Sequence, residues 1–177
     1  GAIQFVRTRV ADADKLTNEV SVLFFGINIS CAQCHDHPLA PDWTQDHFYG
    51  MKSFFSRSFE NDGFVAERDY GKLEFKTVSG ETKTATMMFL TGERVDEPET
   101  QEPNDEQRKQ EKQNLDELKK QKLAPPPPSF SRRARIVEVG LQESAPHYFA
   151  RAIVNRLWQR LLGRGLVTPI DQMHSKN

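Results

Sequence analysis

The chain has only two cysteines in 177 residues, so a disulfide framework cannot carry its fold. It contains no run of eighteen apolar residues, so no membrane-spanning helix is expected. No charged-then-apolar leader opens it, but the chain reads as an excised piece of a longer protein, so that absence says little about location. No charge of one sign is in excess: 24 Lys and Arg face 25 Asp and Glu, for a net charge of −1. Nothing global therefore points to nucleic acid. Internal repeats are absent, and hydrophobic residues, at 37%, are fewer than usual for a globular chain. Phenylalanine, by contrast, is plentiful at twelve residues, and the charge is concentrated between Glu93 and Lys122.

Both cysteines fall in one pentad, Cys31-Ala-Gln-Cys34-His35. This C-x-x-C-H spacing is the attachment pattern of c-type haem. Two intervening residues set the sulfurs about one helical turn apart, within reach of neighbouring vinyl groups on one porphyrin edge. The adjacent histidine is then available as the proximal iron ligand. Two other chemistries compete for the same residues. Cys31, Cys34, His37 and His47 would make a tetrahedral zinc set, which leaves His35 idle. A redox dithiol is the other, although such motifs normally open a helix after a strand, whereas here a helix precedes.

The stretch from Asp14 to Ile29 places Leu16, Val20, Leu23, Phe24 and Ile27 on one helical face, and the pentad hangs from its end. A loop from Asp36 to Asp42 follows, stiffened by Pro38 and Pro41. Thr44 then caps a second helix running to about Arg57. Alternation in Leu73–Val78, a turn at Ser79-Gly80 and extended character from Thr84 to Leu90 predict a β-hairpin. A solvated helix from Asn104 to Lys122 is expected to dock loosely through Leu115 and Leu118. Four prolines between Ala124 and Ser129 form a spacer. Helices from Ser131 to Leu141 and from Tyr148 to Leu162 close the pattern, with Gly163 as a C-terminal cap.

GINISCAQCHDHPLAPDWTQDHFYGMKSFF resembles the signature of a planctomycete-specific cytochrome-like domain of unknown function, of the CxxCHxHP type. SRRARIVEVGLQESAPHYFARAIVNRLWQRLLGRGLVTPIDQMHSKN is similar to the opening of the partner planctomycete-specific domain that usually follows it. The resemblance implies an exported protein related to c-type cytochromes, placed in the periplasm or at the cell surface, and part of a larger multidomain chain. The chain departs from the family at His47, where an acidic residue or tyrosine is commoner, and at Met51, where leucine is. Those two positions inherit no family role.

The fold expected is mainly α with a small β-hairpin insertion, a c-type haem domain without the ordinary class I cytochrome c layout. Residues 1–92 form the haem module, 93–130 a polar helix and proline-rich linker, and 131–177 the start of a second helical module. Cys31 and Cys34 hold the haem and His35 ligates its iron. His37 is too close in sequence to pass around a porphyrin, at ~3.5 Å per residue, so its expected task is support: fixing the loop or hydrogen-bonding His35. The opposite iron face is left open among His47, Met51, Met87, Met88 and no protein ligand at all. Phe24, Phe25, Trp43, Phe48 and Phe54 are candidates for the walls of the haem crevice. The function expected is one-electron transfer with an unknown redox partner protein, or redox sensing. The alternatives are a haem enzyme with an open distal site and a zinc-stabilised scaffold or binding module.

Overall fold

The computed structural model describes residues 1–38, 40–142 and 147–177. Among them are six helices and two small antiparallel hairpins, so the chain is mainly α with a small β component. Helix α1 (Ala2–Arg7), which the sequence pattern had not suggested, leads into α2 (Ala13–Phe25). Asp12 caps α2 by accepting from the Lys15 N–H, and Gly26 ends it in the left-handed conformation at φ +68°. A single 3₁₀ turn (Ser30–Gln33) carries the start of the pentad. The pentad is therefore separated from α2 by residues 26–30 and does not hang directly from the helix.

Helix α3 (Gln45–Ser53) is shorter than the expected span, because the chain turns at Phe54 to enter strand β1 (Ser58–Asn61). β1 pairs with β2 (Phe64–Glu67) through the turn at Asp62 and Gly63, both at positive φ. β3 (Glu74–Lys76) pairs with β4 (Thr82–Thr84), so the insertion holds two hairpins where one was expected. Helix α4 (Asp105–Gln121), α5 (Arg132–Leu141) and α6 (Tyr148–Leu162) complete the order.

One core joins both ends of the chain. Leu16, Ile27, Ile29, Trp43, Phe48, Met51, Phe54 and Phe89 pack with Ile136, Val139, Ala152 and Met173. Each large apolar side chain removed from water here stabilises the fold by roughly 1.5–3 kcal/mol before entropy is counted. Gly50 is required where α3 crosses the chain at Met88, since a Cβ on it would lie 2.5 Å from Met88 Cβ. The polar region is tied on differently. Arg57 and Arg132, both buried, share the Glu97 carboxylate, and Glu67 accepts from the Arg132 and Arg133 backbone at the start of α5. No residue of α4 is buried; it docks through Arg68–Glu111, Tyr70–Glu111 and the Asn61 side-chain bond to the Leu115 carbonyl.

Candidate functional site

The pentad turn is an exposed reactive face on a buried frame. Ile27, Ile29, Ala32 and Ala40 are fully buried on either side of it and Trp43 nearly so. Between these anchors Cys31, Cys34 and His35 are exposed, and both cysteines are free thiols. Asn28 Oδ1 accepts from the Ser30 backbone N–H and hydroxyl, fixing the entry to the turn. The Cys31 carbonyl accepts from the N–H groups of Cys34 and His35, which fold the two thiols and the imidazole onto one turn of chain.

His35 Nδ1 lies 2.7 Å from the Asp36 carbonyl oxygen. A carbonyl can only accept, so Nδ1 carries the proton and Nε2 keeps its lone pair. This is the tautomer that metal-ligating histidines adopt when a backbone carbonyl orients them. The donor set at the turn (two accessible thiols followed by an oriented imidazole) thus fits the chemistry of covalent haem attachment.

His37 is bonded within the loop that follows the pentad. Its Nδ1 accepts from the Ala40 N–H at 3.1 Å, the ring also bonds the Asn28 backbone, and its own N–H donates to the Trp43 carbonyl at 2.9 Å. It thereby ties the two sides of the turn together. Burial pushes its pKa below the ordinary histidine value, which keeps Nδ1 an acceptor. Leu39, inside the expected Asp36–Asp42 loop, lies outside the described residues.

The remaining sequence candidates are not gathered at the turn. His47 Nδ1 accepts from the Thr44 N–H at 3.3 Å and lies 3.1 Å from the Thr44 hydroxyl, making it part of the α3 capping box; burial lowers its pKa. Met51, Met87 and Met88 are 0%, 2% and 6% exposed and pack inside the fold. Phe25, Trp43, Phe48 and Phe54 are core residues, and Phe24 faces Phe5 of α1 edge-on at 6.2 Å, away from the pentad. Phe24 and Phe25 line an apolar groove with Phe5, Val20 and Ile136, which no pentad residue lines. Among the described residues, no group of three or more His, Cys, Asp or Glu side chains is arranged to hold a metal ion, so the zinc set drawn from the spacing is not assembled.

Two contributors were missed by the sequence reading. Gln45, 9% exposed, donates from Nε2 to the carbonyl of Gln33, between the two cysteines, and accepts from the Val78 N–H at 2.9 Å. It pins the pentad turn to the β3–β4 hairpin. As the first residue after a cap it read simply as a polar helix position. The second contributor is the segment after α6. The Asn28 N–H donates to the Asp171 carbonyl at 2.8 Å, the Met173 N–H donates to the Gly26 carbonyl at 3.1 Å, and Ile27 bridges Gln172. Ser175 donates to Asp42 at 2.7 Å, and the His174 ring stands 6.4 Å from that of His37. Gly26 is favoured here by its left-handed φ of +68°, and its Cα packs against Met173 and the Ile170 carbonyl. No local sequence signal announces so distant a pairing.

Residues 1–60 match the family model PSCyt2, described as a protein of unknown function (DUF1549), a planctomycete cytochrome-like family. Residues 132–177 match PSD1, also described as a protein of unknown function (DUF1553), and the two in this order are a planctomycete-type domain pair. No curated protein and no solved structure matches the chain. Among the described residues, no helix is long and apolar enough to cross a membrane.

Proposed function

We propose that this is a c-type haem protein that carries single electrons, or senses redox state, outside the cytoplasm. The observation that carries the reading is the pair of exposed thiols beside a histidine whose Nδ1 is committed to the Asp36 carbonyl. Cys31 and Cys34 would hold the haem covalently through their thiols, and His35 would offer Nε2 to its iron. Bound there, the haem supplies reversible one-electron chemistry. The chain's own part is to hold the thiols on one turn, keep the imidazole in one tautomer, and brace both through Gln45 and His37. Location in the periplasm or at the cell surface belongs to the same proposal, since covalent attachment is a feature of exported cytochromes.

A second reading is favoured by one specific observation. Met51, Met87 and Met88 are buried and His47 is engaged in its cap. With those four side chains committed elsewhere, a bound haem would keep a position for small ligands, which would suit a haem enzyme or a ligand-binding sensor.

Denaturing mass spectrometry after expression with a haem-maturation system tests the first claim. The polypeptide is expected to gain the mass of one haem, and to lose that gain in Cys31→Ser with Cys34→Ser. A bare polypeptide, or zinc without iron by elemental analysis, would reject it. Cyanide or azide binding to the ferric protein then separates the readings: binding selects the open face, and a low-spin six-coordinate spectrum that resists both selects electron transfer.

A further inference from the structure

Helix α6 shows its most apolar face to water. Its inner face is set by Ala152 and Asn155, both buried, and the Arg156 guanidinium ties it to α2 by donating to the Val22 carbonyl at 2.6 Å. On the outer face Ala150, Val154, Leu157 and Leu161 follow one another at steps of four, three and four residues. That alternation is the seam of a coiled coil, with Val154 and Leu161 at a and Ala150 and Leu157 at d. Val154, Leu157 and Leu161 are 53%, 56% and 80% exposed, and Ile153 and Trp158 widen the seam on either side. An apolar face of this extent, left open to water, marks a docking surface.

The edges of the seam say what covers it. In this register the charged residues beside it are Arg151 at e and Arg160 at g, both exposed, and no Asp or Glu occurs from Tyr148 to Ile170. Asp42 lines a cavity with Arg151 but already accepts from Ser175. Charges at e and g select the partner of such a seam, because like charges across it repel. A second copy of α6 brings only arginines to this rim, whichever way it runs. Helix α4 of a second copy fails for another reason: its apolar residues are Leu115 and Leu118 alone, too few to fill the seam.

We propose that the outer face of α6 docks a helix of a partner protein, one with apolar a and d positions and Glu or Asp at e and g. The surface lies on the segment matched by the second family, and its occupation does not depend on the haem reading.

The test uses the whole chain and two synthetic helical peptides without tryptophan. Both carry Leu at a and d; one has Glu and the other Lys at e and g. The chain has two tryptophans, and Trp43 is buried, so a change in acrylamide quenching reports on Trp158. The Glu peptide is expected to shield Trp158 at a concentration about tenfold or more below that needed with the Lys peptide. Arg151→Glu combined with Arg160→Glu is expected to reverse that order, and the reversal itself shows that the variant is folded. Equal shielding by both peptides, shielding by neither, or an order left unreversed overturns the proposal. So does shielding that grows with protein concentration alone, which would make a second copy the occupant. Vesicles of equal parts phosphatidylglycerol and phosphatidylcholine that shield Trp158 where the Glu peptide does not would replace the helix with a lipid surface.

Discussion

The pentad turn and the polar arm of residues 93–130 are both exposed, yet they are fixed in opposite ways. The turn is a thin exposed strip whose flanks, Ile27, Ile29, Ala32, Ala40 and Trp43, lie in the core. The arm is exposed nearly all round and is attached by charged pairs such as Arg68–Glu111 and Arg108–Glu102. Exposure alone therefore says little about function. A reactive group is usefully presented when its neighbours two or three residues away cannot move, because that spends rigidity on geometry. The arm's buried charged joint is where Arg57 and Arg132 meet Glu97.

The sharpest way to break this contrast is Trp43→Ala. It empties a site 1% exposed and removes the bond from Nε1 to the Leu90 carbonyl. A loss of about 3–5 kcal/mol is expected in denaturant unfolding, and a loss below about 1 kcal/mol would show that the frame does not depend on it. Glu97→Gln comes next. It strands two buried guanidinium groups, and because Glu97 keeps 29% of its side chain exposed the expected loss is about 2 kcal/mol, less than for a fully enclosed pair. Gln45→Leu removes the brace behind Gln33. About 1–2 kcal/mol of stability should go, together with faster hydrogen exchange at the Cys34 amide than at α5 amides.

The pH dependence sharpens the comparison further. Native His47 and His37 are held neutral by burial, with pKa values below the ordinary one. The unfolded chain takes up those protons near pH 6.5, so below that value it binds more protons than the native state. Stability is then full above about pH 6.5 and declines as pH falls through and below it. His47→Gln should flatten part of that decline in urea titrations at pH 5 and 7. The smallest effect is expected in the arm: Glu111→Ala, which removes the contacts to Arg68 and Tyr70, should cost about 1 kcal/mol or less and leave thiol accessibility at Cys31 and Cys34 unaltered.

Sequence patterns revealed what is local. The stripe Leu16, Val20 marked α2, Thr44 marked the start of α3, and the Asn104 cap and Gly163 marked the ends of α4 and α6. The polar helix was read correctly as solvated, with Leu115 and Leu118 its half-buried contacts. The β1–β2 hairpin was missed although Asn61-Asp62-Gly63 is a turn signal, because neither four-residue strand, Ser58–Asn61 or Phe64–Glu67, is long enough to show clear apolar–polar alternation. The proposed reactive residues, Cys31, Cys34 and His35, are legible as a spacing. The bonds that hold their turn are not, since Gln45 acts through a hairpin some thirty residues away and residues 26–28 pair with a segment about 140 residues later, and such closures depend on the tertiary fold.

The union of chain ends bears on how the protein can be divided. A recombinant fragment stopping near residue 92 would lose Ile136, Val139, Ala152 and Met173 from its interior and leave the edge at Ile27 bare. Such a fragment would meet solvent with a sticky seam where the intact molecule has a closed joint, and its inclusion-body yield would report on that seam before any assay of colour.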